Sequence, residues 1–100
     1  MANKKRIEGK TQTMSVFPLW LRRLAAMDQA GLRAAALEIA ERRRRLDITQ
    51  LQLQKVSGVN RITISKYESG AARNPTRANM VAIYSALSYC KDMDRFSPGH

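Results

Sequence analysis

Residues 49–70, TQLQLQKVSGVNRITISKYESG, constrain the fold more than any other stretch of this chain. They form two short segments of helix-forming residues with a break at Ser57-Gly58. Thr49 can cap the first segment and Asn60 the second, because a short side-chain oxygen accepts a hydrogen bond from a free backbone N–H in the first turn. Gly58 can adopt the left-handed conformation that ends a helix without a Cβ penalty. The stretch therefore predicts two helices joined by a tight turn.

Such a pair of helices, joined by a turn of three or four residues that contains glycine, is a helix-turn-helix. In this motif the second helix is the natural probe for the major groove of DNA. The pattern predicts helices over residues 50–56 and 61–69. The apolar residues expected to face inward are Leu53 and Val56 in the first helix and Ile64 and Tyr67 in the second.

The face of the second helix opposite Ile64 carries the candidate base-reading residues Arg61, Ile62, Ser65 and Lys66. Arg61 can make a bidentate contact with guanine O6 and N7, and Ile62 can rest on a thymine methyl group. Lys66, one turn further along, can reach another base or a phosphate. We expect this face to enter the groove.

Residues around the motif are candidates for contacts with the DNA backbone. Gln50 lies at the first turn of its helix, where free N–H groups and the positive end of the helix dipole suit a phosphate. Such contacts position a protein on DNA, whereas contacts with base edges specify the site. The further phosphate-contacting candidates are Asn60, Thr63, Arg73 and Arg77.

Apolar periodicity predicts three more helices, over residues 14–30, 32–46 and 77–88. Gly31 suits the end of the first of these or a bend into the next helix, and Thr76 can cap the last. The four arginines at 42–45 spread over most of a helical turn, so at most two of them share a face.

These elements predict an all-α fold, a compact bundle of about five helices. We expect a disordered basic arm at 1–13, an extra amphipathic helix at 14–31, the DNA-binding domain at 32–91 and a flexible tail at 92–100. The arm is either a plain solvated tail or a segment that tracks DNA. The extra helix is expected to pack against its own domain or to form a dimer interface.

The charge balance favours a polyanionic partner. The 100 residues include 18 Lys and Arg against 8 Asp and Glu, a net charge of +10. Nucleic acid is a better candidate than an anionic membrane, and no apolar run approaches the roughly 18–20 residues of a membrane span. With one cysteine, Cys90, and one histidine, His100, we predict no disulfide, metal site, cofactor or catalytic site. We expect a cytoplasmic protein that is not an enzyme.

A set of positions at fixed spacing now matches a known pattern: Thr49-Gln50, Leu53, Gly58-Val59, Ile64-Ser65, Glu68 and Gly70. Over roughly residues 38–88 the chain resembles the helix-turn-helix domains of lambdoid phage repressors and the wider XRE-type regulators. The resemblance implies a domain of about five helices that binds operator DNA, usually as a dimer.

Residue roles also follow from the resemblance. It implies that Gln50 touches phosphate and that Arg61, Ile62 and Lys66 read bases. It further implies that Arg43, seven residues before Gln50, pairs with Glu68, which makes the role of Glu68 structural.

The sequence departs from the family pattern at three places. Gln54 stands where a small residue is expected at the crossing of the motif helices, so the crossing is either looser or contains an extra hydrogen bond. Asp47 replaces the glycine that usually ends the preceding helix, and aspartate can adopt left-handed geometry at modest cost. The final helix that the family has after Leu87 is missing or very short.

Together these observations predict a sequence-specific transcriptional regulator of phage or mobile-element type, most simply a repressor. A homodimer would present two probe helices about 34 Å apart to a palindromic operator. One alternative is an antitoxin whose extra helix binds a toxin protein, and another is a non-specific nucleic-acid binder. We expect the protein in the bacterial cytoplasm, associated with the nucleoid when bound.

Overall fold

The structure is a computed structural model that describes residues 18–96. The predicted arm at 1–13, the first residues of the predicted extra helix and residues 97–100 lie outside the described part. Within that part the chain is all-α, as predicted, and contains no strand. The helices are α1 (Leu19–Ala26), α2 (Gln29–Leu37), α3 (Ile39–Arg45), α4 (Gln50–Ser57), α5 (Arg61–Ser69) and α6 (Arg77–Phe96).

The first two predicted helices are each divided in the structure. Helix α1 ends at Ala26, and α2 begins after Asp28, whose carboxylate accepts a hydrogen bond from the Gly31 N–H at 2.9 Å. Of the two roles predicted for Gly31, the end of the first helix was wrong, because Asp28 is an N-cap and places Gly31 in the first turn of α2, just after the bend between the two helices. The predicted helix 32–46 is likewise divided at Glu38, between α2 and α3.

The last helix is longer than predicted. Helix α6 runs to Phe96, so the prediction that it ends near residue 88 was wrong. No glycine or proline interrupts residues 77–96, and nothing in the local sequence stops the helix once it has begun. Residues 92–96, which we expected in a flexible tail, are part of this helix.

One core joins all six helices. Leu53, Ile64 and Tyr67 are buried, as predicted, whereas Val56 is 45% exposed. The inward assignment of Val56 was wrong because this side chain lines an open groove beside Ala82 and Ser85 of α6 instead of packing into the core. The other buried apolar residues are Leu24, Leu32, Ala35, Ala36, Ile39, Val59, Met80, Ile83, Tyr84, Ala86 and Leu87.

Helix α1 packs against α6 and belongs to this core. Leu24 is 2% exposed, and the Trp20 ring lies 6.1 Å from the ring of Tyr84, centroid to centroid. The Arg77 guanidinium donates hydrogen bonds to the carbonyls of Leu24 at 3.1 Å and Met27 at 2.8 Å. These carbonyls lie at the C-terminal end of α1, where the negative end of the helix dipole makes a cation favourable.

Tyr84 connects three helices at the same place. Its hydroxyl donates a hydrogen bond to the Ala35 carbonyl of α2 at 2.7 Å, and the Arg42 guanidinium of α3 lies 5.2 Å from its ring centroid. Burial raises the pKa of the Tyr84 phenol, and the charge of Arg42 opposes that rise. The Tyr84 phenol therefore stays neutral and keeps the proton with which it donates a hydrogen bond to the Ala35 carbonyl.

If α1 is part of the core, Leu24→Ala will lower the free energy of unfolding by about 2–5 kcal/mol, because it removes a buried side chain and leaves a cavity. Urea unfolding measures this loss. Arg22→Ala, on the exposed side of the same helix, is the matched control and should change stability by less than about 0.5 kcal/mol. Equal, small effects of the two substitutions would show that α1 does not contribute to the core.

Candidate nucleic-acid interface

The helices α4 and α5 begin with the caps that the sequence predicts. Thr49 Oγ1 accepts a hydrogen bond from the Gln52 N–H at 3.0 Å, and Gln52 Oε1 accepts from the Thr49 N–H at 2.7 Å. This reciprocal pair is a capping box. Asn60 Oδ1 accepts from the Ile62 N–H at 2.7 Å and caps α5. Both helix starts are therefore determined by local hydrogen bonds.

Two left-handed residues set the direction of the chain around α4. Gly58 has φ 79°, which turns the chain from α4 towards α5. Asp47 has φ 59° and ends the preceding turn, where the sequence led us to expect left-handed aspartate geometry. These turns bring the N-terminus of α4 and the N-terminus of α5 to the same side of the domain, since Gln50 and Arg61 border one open concavity.

A carboxylate between the helices connects α3, α4 and α5. Glu68 accepts two hydrogen bonds from Arg43, from Nε at 2.8 Å and from Nη2 at 3.1 Å, and a third from Gln50 Nε2 at 2.9 Å. The remaining Arg43 Nη1 donates to the Ile48 carbonyl at 3.0 Å. The Arg43 side chain is only 14% exposed and the Glu68 side chain 8%. The Arg43–Glu68 pair implied by the family resemblance is therefore present, and both side chains are largely shielded from solvent.

Helix α5 presents the expected four-residue surface to solvent. Arg61, Ile62, Ser65 and Lys66 are all exposed, with Ile62 at 58%. Ile64 and Tyr67, on the opposite side, are buried. The four side chains therefore form a continuous exposed face with a cation near each end.

The predicted backbone-contact residues have different environments. Gln50 is half-buried, and one N–H of its amide is bound to Glu68, which leaves the second N–H for a phosphate. Asn60 is exposed but uses Oδ1 as the cap of α5. Thr63 is half-buried, and Arg73 is exposed in the loop after α5.

The phosphate contact of Arg77 stays a prediction, and the structure gives this side chain a structural role as well. Its guanidinium is occupied by the carbonyls at the end of α1. These bonds use Nη1 and Nη2, so Arg77 anchors α1 while Nε remains a donor for another acceptor. The sequence could not indicate this, since α1 and Arg77 are about fifty residues apart.

Gln54 resolves the alternatives at the helix crossing. Its Oε1 accepts a hydrogen bond from the Arg61 N–H at 2.6 Å, so the crossing contains the extra hydrogen bond rather than a gap. The bond satisfies one of the free N–H groups at the start of α5. The same bond links the Gln54 side chain of α4 to the backbone of Arg61 in α5, the residue expected to read a base.

Sequence reasoning missed two residues beside the motif, Arg44 and Leu51. Both border the concavity at the N-terminus of α4, together with Thr49, Gln50 and Arg61. Arg44 adds a cation where the helix dipole already favours an anion. The run of arginines at 42–45 was the available signal, but only the structure shows which of them lies on this side.

Two capped helices that turn at a left-handed glycine, with a basic exposed face on the second, define a helix-turn-helix DNA-binding domain. A family model described as helix-turn-helix, of the XRE and lambda repressor-like type, matches residues 39–89, about half of the chain. The chain therefore belongs to this family of DNA-binding regulators. Comparison with curated proteins and with solved structures gives no significant match. Helices α1 and α2 and the last turns of α6 lie outside the matched residues.

The described residues include neither a helix able to span a membrane nor a cluster of metal-binding side chains. None of the helices in 18–96 combines the length and the apolarity that crossing a membrane requires. In the same residues no group of three or more His, Cys, Asp or Glu side chains is placed to hold a metal ion.

We predict that Glu68→Ala will lower the free energy of unfolding by about 3–5 kcal/mol, because it leaves the Arg43 charge buried without a partner. A double variant, Arg43→Met with Glu68→Met, should recover much of this loss, since it removes both charges. Urea unfolding measures both.

The matched control is Glu41→Ala, which breaks an ion pair to Arg45 whose side chains are 62% and 72% exposed. It should cost less than about 1 kcal/mol, and an equal loss from Glu41→Ala and Glu68→Ala would contradict the prediction.

Gln54→Met keeps the length of the side chain but removes the acceptor for the Arg61 N–H. We expect it to lower the free energy of unfolding by about 1 kcal/mol. Gln54→Glu keeps an acceptor and places a negative charge at a helix N-terminus, so its stability should be close to that of the wild type. Thermal unfolding at matched salt compares the three proteins. A Gln54→Met protein as stable as Gln54→Glu would show that the hydrogen bond contributes nothing.

Proposed function

We propose that this chain is a sequence-specific transcriptional regulator, acting as a repressor, that reads the major groove of double-stranded DNA with α5. The observation that carries the proposal is the division of α5 into two faces. Ile64, Tyr67 and Glu68 are held in the fold, which leaves the basic face free to meet a ligand of helical shape. An α-helix with donors and cations on its free face fits the width of the major groove.

The exposed side chains suit different features of base edges. Arg61, at the start of the helix, would donate two hydrogen bonds to guanine O6 and N7. The 58% exposed Ile62 would contact a thymine methyl, and the Ser65 hydroxyl can donate or accept. Lys66 would reach a second base or a phosphate. These contacts would supply specificity.

The surrounding residues would hold the duplex in register. Gln50 and Arg44 lie at the N-terminus of α4; Asn60 caps α5, Thr63 lies within it and Arg73 follows it. If about six phosphates are neutralised, the logarithm of the affinity will fall with the logarithm of salt concentration with a slope near −5. The net charge of +10 supports such a term.

Repression and dimerisation extend the proposal. One α5 helix contacts only a few base pairs, so a homodimer on a palindromic operator, with its two α5 helices about 34 Å apart, would double the specific contacts. A repressor needs only to occupy its operator, which a domain of this size can do. We place it in the bacterial cytoplasm, on the nucleoid when bound.

Selection from a random DNA library tests this function directly. The wild-type protein should enrich a defined site, and Arg61→Ala should relax the selection at one base position, where the discrimination lost is about 1–3 kcal/mol. Arg22→Ala, which removes an exposed cation of α1, is the matched control and should leave the selected site unchanged. No enrichment by the wild type would indicate a non-specific binder. A uniform loss over all sites with Arg61→Ala would make Arg61 a phosphate contact.

A repressor and an antitoxin would share this DNA-binding domain, so a second experiment separates them. A repressor should purify alone after expression from its native locus, whereas an antitoxin should purify with a small toxin protein. Helix α1, the segment we considered for toxin binding, already buries Leu24 in the domain and leaves Leu19 57% exposed. The toxin would have to bind that outer side.

A further inference from the structure

The four consecutive arginines of α3 divide into two pairs with different surroundings. Successive helical residues are rotated by about 100°, so positions 42 and 45 lie on one side and positions 43 and 44 on the other. Arg43 is bound to Glu68, and Arg44 borders the concavity beside α4. Arg42 and Arg45 face away from both, and DNA contact by α5 does not account for them.

Arg42 and Arg45 border a second groove, which lies between α1, α3 and α6 and has a volume of about 400 Å³. Its apolar lining comes from all three helices: Trp20, Leu46, Tyr84 and Leu87. The volume is within the range of about 300–1,000 Å³ that is usual for small-molecule sites. An apolar body of modest size would fit this groove.

Three cations surround the apolar lining, Arg42 and Arg45 from α3 and Lys91 from α6. The Arg42 guanidinium is oriented by the Tyr84 ring, 5.2 Å from its centroid. Arg42 and Arg45 also contact Glu38 and Glu41, at 3.3 and 2.8 Å. Both pairs are largely exposed, and exposed pairs are weak, so an incoming anion can replace either glutamate.

We propose that this groove binds a small amphipathic carboxylate, with its apolar body against Trp20 and Leu46 and its carboxylate between Arg45 and Lys91. Charge complementarity selects the anion, because the lining combines three cations with an apolar surface and includes no acidic side chain. Arginine adds a planar fork that can bind a carboxylate with two hydrogen bonds.

The groove depends on parts of the chain outside the family match. Trp20 belongs to α1, and Lys91 follows residue 89, the last that the family model covers. The anchoring of α1 by Arg77 therefore builds one wall of the site.

Tryptophan fluorescence tests the proposal without DNA, since Trp20 is the sole tryptophan. Titration with octanoate should change the emission and reach saturation. Octanol, with the same chain and no charge, should bind at least about tenfold more weakly, because it lacks the charge-assisted hydrogen bonds. Octylammonium, of opposite charge, should bind more weakly still.

Variants then locate the site. Arg45→Gln with Lys91→Gln should weaken octanoate binding about tenfold or more. Arg22→Gln with Arg33→Gln removes the same charge from exposed positions outside the groove and should leave binding unchanged. Ser88→Phe should fill the groove and abolish binding, and Ser88→Ala keeps it open and should bind normally. Thermal unfolding selects the variants that remain folded.

Several results would overturn the proposal. These are the absence of saturation with octanoate, equal affinities for octanoate and octanol, and an equal loss in the two double variants. A Trp20 emission that shifts with protein concentration, together with a dimer in sedimentation, would show that a second copy covers the groove. Failure of the DNA selection would leave all these measurements unaffected, so the ligand site and the proposed function are tested independently.

Discussion

The hydrogen bonds of the Glu68 carboxylate set the orientation of α5 in the domain. The carboxylate accepts hydrogen bonds from Arg43 of α3 and Gln50 of α4 while it belongs to α5, so one charged group relates three helices. A hydrophobic contact between the same helices would tolerate sliding, whereas a bidentate ion pair has a narrow geometry. Because a buried pair of this kind contributes little net stability, its main effect is on geometry. The ion pair thereby sets the orientation of α5, and with it the direction in which Arg61 and Lys66 project from the surface.

A second group of contacts attaches α1 to the domain. Leu24 supplies the apolar part, and the Arg77 guanidinium donates hydrogen bonds to the Leu24 and Met27 carbonyls at the end of α1. The same attachment places Trp20 beside Tyr84 and forms the groove that we propose as a ligand site. The four arginines of α3 thus form two pairs with separate surroundings, one on the side of the DNA-binding motif and one on the side of α1.

The local features of the fold were predictable because each depends on a few neighbouring residues. Thr49 and Asn60 cap the helices that follow them, Gly58 is left-handed, and Ile64 and Tyr67 face inward, all as expected. The boundaries that failed depended on competition between neighbours. Asp28 is a stronger start signal than Gly31 is a stop signal, and α6 continues past residue 88 because no residue ends it. Val56 was misassigned because its exposure depends on how α6, distant in the chain, packs beside α4, which the local pattern does not specify.

The sequence by itself determined the all-α class, the caps and turn of the helix-turn-helix, and the set of side chains on the free face of α5. These follow from periodicity and from hydrogen bonds between residues at most four positions apart. Only the tertiary structure decided that Gln54 bonds the backbone of Arg61, that Arg77 holds α1, and which arginines of 42–45 face the motif. Each of these depends on the packing of helices distant in the chain or on the register of a helix against its neighbours, which no local pattern specifies.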